Sequence, residues 1–236
     1  MNLSFYTAAT GANSQQTRMN IIGNNIANVN TDGYKTQNAG FVDLLYEKYY
    51  EAATEDPETG SGARVEKTDI LFTQGGMNPT GGKYDYAILG EGFFAVYDPG
   101  SGDIFYTRNG HFTLSNYGDN LFYLVNDMGY HVLNENFAPM PIDTFDEYAE
   151  INPGVFDFIL KEGMLLTGNN LYQPVEKNGP PFFSQEAGLA RGYLEMANVD
   201  LAQEMTRVIE AQRAYQLLLR MVQTSDEVET TIINLR

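Results

Sequence analysis

The 236-residue chain is 43% hydrophobic and 13% aromatic, which is enough apolar material for a core and too much for a disordered protein. Its 31 acidic and 14 basic side chains give a formal net charge of −17; this excludes nucleic-acid binding through the phosphates and disfavours anionic membrane surfaces. The sequence contains no cysteine, which excludes disulfides, thiolate metal sites and cysteine nucleophiles.

The first 30 residues predict a helix with coiled-coil spacing, which ends in turn formers at residues 28–33 with Gly33 in a left-handed conformation. Arg18 is the one charged residue between positions 1 and 30. Such an uncharged outer face favours a helix enclosed by other helices in an assembly, and a solvated helix is the alternative. Intervals of three and four separate its predicted contact residues: Phe5, Ala8, Ala12, Gln15, Met19, Ile22, Ile26 and Val29.

No targeting or membrane segment is predicted. The N-terminus lacks the positively charged region of a secretory signal, and no apolar run approaches the roughly 18 residues that span a bilayer. We therefore expect no direct membrane insertion, and export, if it occurs, by another route.

An acidic connector is predicted for residues 35–64, and a β domain for residues 65–197. The connector includes residues 51–62, whose acidic, Gly- and Pro-containing composition is typical of an exposed loop. In the β domain, turn residues separate short apolar runs, as in an antiparallel sandwich or barrel. The expected strands are 93–97, 104–107, 111–114, 121–125, 130–133, 155–160, 164–166 and 171–175.

A second helix with coiled-coil spacing is predicted for residues 198–236, and Asp200 and Gln203 resemble its capping box. Glu204 with Arg207 and Glu210 with Arg213 form expected i,i+3 ion pairs. One predicted contact row consists of Leu201, Met205, Val208, Gln212, Tyr215, Leu219 and Val222. The other consists of Ala211, Ala214, Leu218, Met221, Ser225, Val228, Ile232 and Leu235. The fold class is therefore α+β, mainly β, with paired terminal helices.

The motifs for chemistry are weak. Residues 90–95 fit G-x-G-x-x-A, but a strand is predicted after the glycines where a dinucleotide site needs a helix. His111 and His131 lie on neighbouring predicted strands, and two histidines alone are weak evidence for a metal. We therefore predict no catalytic residues, no metal site and no cofactor.

Several motifs resemble those of the bacterial flagellar rod and hook axial proteins, in the same order over nearly the whole chain. Residues 24–35 (NNIANVNTDGYK) resemble the N-terminal signature, and residues 192–200 (GYLEMANVD) with 210–215 (EAQRAY) the C-terminal one. The central matches are 72–75 (FTQG), 85–88 (DYAI), 90–94 (GEGFF) and 106–110 (YTRNG).

Within the family, residues 41–46 (FVDLLY) are similar to the distal rod branch, which they favour over the proximal rod branch. Departures from the family pattern occur at Asn13-Ser14, at Arg191 and over residues 137–153.

The resemblance implies a structural role and not an enzymatic one. In the family, paired terminal helices line a hollow helical polymer, a drive shaft that carries torque from motor to hook and through which later subunits are exported. The implied partners are copies of the chain, other rod proteins, the hook and the flagellar type III export apparatus, and the implied location is the basal body. A secreted β-sandwich adhesin or carbohydrate-binding module is the alternative, although it leaves the terminal helices unexplained.

We expect residues 1–34 and 198–236 to form the assembly domain. The predicted assembly residues before the β domain are Phe5, Met19, Ile22, Asn24, Asn25, Ile26, Asn28, Val29, Asn30 and Gly33. Those after it are Leu201, Met205, Val208, Gln212, Arg213, Tyr215, Leu219, Val222, Val228 and Ile232.

Overall fold

Two long helices flank a series of short strands. The computed structural model describes residues 3–43, 46–48, 58–60, 62–116, 122–142 and 151–235. Helix α1 spans Leu3–Ala27 and helix α2 spans Leu201–Asn234. Asp200 caps the N-terminus of α2 and so forms its half of the predicted capping box: its carboxylate accepts hydrogen bonds from the backbone N–H groups of Ala202 (3.0 Å) and Gln203 (3.1 Å).

Helix α1 ends before the predicted pattern does. The pattern runs to Val29, but the helix ends at Ala27, because the Thr31 N–H group donates to the Asn28 carbonyl (3.0 Å) and closes a turn. Val29 therefore lies in a turn and not on the helix.

Eighteen strands lie within the described residues. The first eight are β1 (Gln37–Asp43), β2 (Tyr46–Lys48), β3 (Glu58–Gly60), β4 (Ala63–Ile70), β5 (Met77–Pro79), β6 (Tyr86–Leu89), β7 (Phe93–Tyr97) and β8 (Ile104–Thr107). The others are β9 (Thr113–Asn116), β10 (Phe122–Val125), β11 (His131–Val132), β12 (Pro141–Ile142), β13 (Val155–Asp157), β14 (Leu165–Gly168), β15 (Leu171–Gln173), β16 (Phe182–Phe183), β17 (Gly188–Arg191) and β18 (Tyr193–Glu195).

The chain divides into two compact units. The helical unit comprises Met1–Ala27, Gln37–Asp69 and Asp200–Arg236, and the β unit comprises Asn28–Thr36 and Ile70–Val199. In the helical unit, β1 pairs with β4 and β2 with β3. Residues 35–64, expected as a connector, thus supply strands to the helical unit; residues 51–57 and 61 of the expected loop lie outside the described part of the chain.

One ten-stranded antiparallel sheet dominates the β unit. Its main path is β12-β10-β11-β7-β8-β15-β14, with β9 on β10, β13 on β7 and β16 on β13. Both faces of the central strand β7 are buried, since Phe94 and Val96 join one apolar cluster and Phe93 and Ala95 the other, as the twofold alternation of a strand requires. The prediction of an antiparallel β domain within an α+β fold is confirmed.

The strand pair β6–β17 covers the first of these clusters. Tyr86 and Ile88 of β6 belong to it, and Leu189 of β17 packs against it. A short pair, β5–β18, completes the described strands of the unit. Of residues 137–153, where the sequence shows no motif, positions 143–150 lie outside the described residues.

A buried tyrosine makes the stability of the β unit sensitive to alkaline pH. The Tyr106 ring packs edge-on against Phe158 at 4.8 Å between centroids, and burial raises the pKa of Tyr106 to about 12. Because the folded state holds this proton more tightly than the unfolded chain, the stabilisation is complete below about pH 10 and is lost as the pH rises towards 12.

Tyr106→Phe removes the titrating hydroxyl group. We therefore predict that, between pH 10 and 12, the free energy of unfolding of this variant falls less than that of the unsubstituted chain, by about 2 kcal/mol. Denaturant titrations at several pH values measure this slope. The half-buried Tyr130→Phe is the matched control, and equal slopes for Tyr106→Phe and the unsubstituted chain would contradict the assignment.

Candidate functional site

The helical unit is built around the antiparallel pair α1 and α2. Small side chains allow close approach: Ala8 and Ala12 on α1 and Ala211 on α2 are buried, the last completely (0% exposed). Two contacts define the register: Ser4 Oγ to Ser225 Oγ at 3.0 Å and Arg18 Nη2 to Glu210 Oε2 at 4.0 Å. Between them, Leu218 packs so close to Gly11 that a Cβ at position 11 would lie 3.2 Å from Leu218 Cδ2.

The covered face of α2 combines members of both predicted contact rows with one residue of neither, Glu204. We define the covered face by its buried and half-buried residues at 4-3 spacing: Glu204, Val208, Ala211, Tyr215, Leu218, Val222 and Ser225. Its first member is charged and its last is polar, so apolar periodicity alone does not identify it.

Two polar side chains of α1 bind the adjoining strands. The buried Asn25 amide donates to the Gln37 carbonyl (2.9 Å) and accepts from the Gln37 N–H group (3.0 Å), which fixes the start of β1. The hydroxyl of the buried Ser14 lies 2.9 Å from the carbonyl oxygen of Ala63 in β4. Ser14, a departure from the family pattern, and Asn25, a predicted assembly residue, thus have intramolecular roles.

The predicted ion pair between Glu204 and Arg207 forms (2.8 Å), and it is partly buried. Arg207 Nη1 also donates to the Asn38 side chain of β1 (3.1 Å), so the pair joins α2 to the strands of its own unit. The second predicted pair, Glu210 with Arg213, does not form in the structure; Glu210 lies beside Arg18 of α1 instead.

The predicted assembly residues divide by exposure. The buried ones are Ile22, Asn25 and Gly33, and the half-buried ones are Phe5, Met19, Ile26, Asn28, Val29, Val208, Tyr215 and Val222. The exposed ones are Asn24, Asn30, Leu201, Met205, Gln212, Arg213, Leu219, Val228 and Ile232. Asn28, Val29, Asn30 and Gly33 belong to the β unit. The accessible part of the predicted interface therefore consists of seven residues of α2 together with Asn24 of α1 and Asn30.

Three fully buried charges form an ionic cluster in the β unit, which sequence reasoning did not predict. The Lys35 ammonium lies 2.6 Å and the Arg108 guanidinium 3.1 Å from the two carboxylate oxygens of Glu195. All three side chains are at least nine-tenths buried. Burial lowers the pKa of Lys35, although the charge of Glu195 opposes that effect.

Backbone groups supply further hydrogen bonds to all three side chains of the ionic cluster. Lys35 donates to the Thr73 carbonyl (2.8 Å), Arg108 to the Gly90 carbonyl (2.9 Å), and the Gly75 N–H group to Glu195 (2.8 Å). These partners belong to the motifs 24–35, 72–75, 90–94, 106–110 and 192–200, so the separate sequence signatures meet in one buried structure.

Gly33 lies two residues before Lys35 and contacts the backbone of the ionic cluster. Its N–H group donates to the Glu195 carbonyl (2.6 Å), and its φ of +69° is the predicted left-handed conformation. A Cβ at this position would lie 2.4 Å from the Asn109 nitrogen, so no larger residue fits without rearrangement.

The weak chemistry motifs have structural roles. Residues 93–97, after the glycines of the G-x-G-x-x-A pattern, form the strand β7, as predicted. His111 contacts the Asp85 carboxylate (2.9 Å), and the Arg191 guanidinium, a family departure, donates to the Lys83 carbonyl (3.1 Å). His131 is buried with its ring against Tyr123.

The described residues contain no group of three His, Asp or Glu side chains arranged to hold a metal ion. Neither described helix combines the length and apolar character needed to cross a bilayer.

Three family models match the chain. The flagella basal body rod protein model matches residues 5–35, the flagellar hook protein FlgE/F/G D1 domain residues 87–154, and the flagellar basal body rod FlgEFG protein C-terminal model residues 190–235. The outer two cover α1 and α2, and the middle one lies within the β unit.

Curated relatives resemble the chain over its whole length. The flagellar basal-body rod protein FlgG of Buchnera aphidicola is 32% identical over 255 residues, covering 95% of this chain and 96% of the relative. The FlgG proteins of Bacillus subtilis and Borreliella burgdorferi are also 32% identical, covering 99% and 100% of this chain and 98% and 99% of the relatives.

We predict that Asn25→Ala lowers the free energy of unfolding of the helical unit by about 1–3 kcal/mol, because both backbone groups of Gln37 lose their partner. Thermal unfolding followed by circular dichroism at 222 nm measures the change. The exposed Asn13→Ala is the control and should shift stability by less than about 0.5 kcal/mol; equal effects of the two substitutions would argue against the Asn25 contact.

We predict that Glu195→Gln destabilises the β unit by about 3–5 kcal/mol, because two buried cations lose their shared counter-charge. Denaturant titration followed by tyrosine fluorescence provides the measurement. The same substitution at the exposed Glu186 controls for net charge, and a Glu195→Gln variant as stable as this control would show that the ionic cluster does not stabilise the fold.

Proposed function

The chain belongs to the family of flagellar basal-body rod proteins, and on that premise we propose that it polymerises in the distal rod into a hollow helical drive shaft. Its role is structural, and its place is the flagellar basal body. The FlgG names of the relatives support a place in the rod. The proposed partners are copies of this chain, other rod proteins and the hook.

The observation that carries the proposal is the exposed apolar surface of α2. The helical unit buries only one face of this helix, and large apolar side chains remain exposed along its length: Leu201, Met205, Ile209, Leu217, Leu219, Met221, Val228, Ile232 and Ile233. Apolar surface on this scale is typical of an interaction site. We infer that neighbouring copies cover it in the polymer.

The outer face of α1 also suits burial between copies. The one charged side chain of α1, Arg18, lies beside Glu210 of α2, and the hydroxyl groups of Thr10 and Thr17 donate to backbone carbonyls one turn earlier (2.9 and 3.1 Å). These groups need no further partner, so their desolvation costs less than that of charged side chains. A wall of such helices suits both a torque-bearing shaft and the passage of exported subunits, which we propose the type III apparatus delivers.

The proposal predicts that Leu219→Asp abolishes polymerisation while the monomer stays folded. Leu219 is exposed in the single chain, whereas an aspartate enclosed between copies costs several kcal/mol without a partner. Sedimentation of the concentrated protein measures assembly, and circular dichroism checks the fold. Leu166→Asp makes the same change at an exposed position of β14 and should leave assembly intact.

Electron microscopy of the concentrated, purified full chain tests the proposal itself. Tubes or protofilaments are the expected result, and the unsubstituted gene should restore motility to cells that lack it. A protein that stays monomeric at every concentration, or that fails to restore motility, would contradict the proposed function.

A further inference from the structure

The covered face of α2 continues beyond the end of its intramolecular partner. Ser4, near the start of α1, contacts Ser225, and α2 runs on to Asn234. Each residue of a helix is rotated by about 100° about the helix axis from the one before it. On this basis the side chains of three later residues fall within a sector of about 60° that lies in line with the covered face: Asp226, Glu229 and Ile233. All three are exposed, Ile233 to 66%. We call these three residues the acidic stripe.

A stripe of opposite charge lies on the opposite face of the same helix. Arg213, Leu217 and Arg220 fall within a second sector of about 60°, roughly 180° from the covered face. All three are exposed, Leu217 to 63%. We call these three residues the arginine stripe. Each stripe thus combines one large apolar side chain with two charges, and the signs of the charges are opposite.

The charged groups of both stripes have no ion-pair partner among the described residues. The described residues place no acidic group within 4.0 Å of Arg213 or Arg220, and no basic group within 4.0 Å of Asp226 or Glu229. The other arginines of the two helices, Arg18 and Arg207, both lie beside a glutamate. The unpaired charges of the stripes are therefore available to a second molecule.

We propose that the acidic stripe of one copy packs on the arginine stripe of the next, with Ile233 against Leu217. The inference rests on the proposed function and specifies one contact of that polymer. The stripes lie on opposite faces and at different heights of one helix, so the contact is head-to-tail, and each added copy presents a free stripe at either end. Contacts of this kind form open filaments when the rotation between copies does not close a ring.

The absence of cysteine permits a direct test by disulfide cross-linking. In one helix the Cα atoms of residues 217 and 233 lie about 24 Å apart, far beyond the roughly 7 Å limit for a disulfide. A bond between Leu217→Cys and Ile233→Cys in the double variant therefore joins two molecules. After mild oxidation of the assembled full chain, we expect a ladder of dimers, trimers and larger species on a non-reducing gel.

Matched controls identify the contact. Each single cysteine variant should give no ladder, and neither should Met205→Cys with Ile233→Cys, because Met205 is exposed on a different face of α2. Polymers that form without a ladder in the Leu217→Cys/Ile233→Cys variant would overturn this contact and leave the proposed function intact. Failure of the unsubstituted chain to polymerise would contradict the proposed function instead.

Charge reversal provides a second test that needs no cysteine. Arg213→Glu with Arg220→Glu should raise the concentration for half-maximal assembly at least about tenfold, and adding Asp226→Arg with Glu229→Arg should restore it to within about threefold. Lys83→Glu with Lys177→Glu makes the same net charge change on the β unit and should have little effect. A quadruple variant no better than the arginine double variant would overturn the proposal.

Discussion

The buried ionic cluster is the constraint on which the arrangement of the β unit depends. Lys35 follows α1 in the chain and Glu195 precedes α2, so their contact at 2.6 Å makes the two connections to the helical unit leave the β unit side by side. Next to them, the Thr36 N–H group donates to the Asn198 side chain (2.7 Å), whose amide donates to the Thr73 carbonyl. A buried ion pair adds little net stability over an apolar core, but the loss of one member is costly because the other charges stay buried without compensation.

Different interactions stabilise the interior of each unit. In the β unit, β7 is buried on both faces and aromatic rings fill both layers, so apolar burial stabilises it. In the helical unit, the covered face of α2 begins at the charged Glu204 and ends at the polar Ser225. Polar contacts, such as the paired hydrogen bonds of Asn25 with Gln37, hold its strands. A unit that leaves so much apolar surface exposed is suited to completion by other copies.

Local patterns in the sequence predicted the helices and strands better than they predicted which residues contact one another in the fold. The strand β7 follows from a short apolar run bounded by turn residues, and the cap at Asp200 from a capping signature; neighbouring residues determine both. The covered face of α2 was predicted only in part. Six of its seven residues were divided between the two predicted rows, and Glu204 was left out because its charge interrupts the apolar spacing. The ionic cluster was missed for another reason: Lys35, Arg108 and Glu195 are far apart in sequence, and no local signal marks a buried charge. Their common membership in the family motifs was the one available sign.

Net charge explains why the unpaired arginines of α2 matter. A chain with 31 acidic and 14 basic side chains repels its own copies, so close packing in a polymer requires cations at the contacts. Arg18 and Arg207 lie beside glutamates of their own unit, which leaves Arg213 and Arg220 as the helix cations that can offset repulsion between molecules. The acids that they would meet begin at Asp226, where α1 no longer covers the same face of α2. In the proposed contact, the part of α2 that extends beyond α1 is where the neighbouring copy packs, and its acidic side chains require that this neighbour present positive charge.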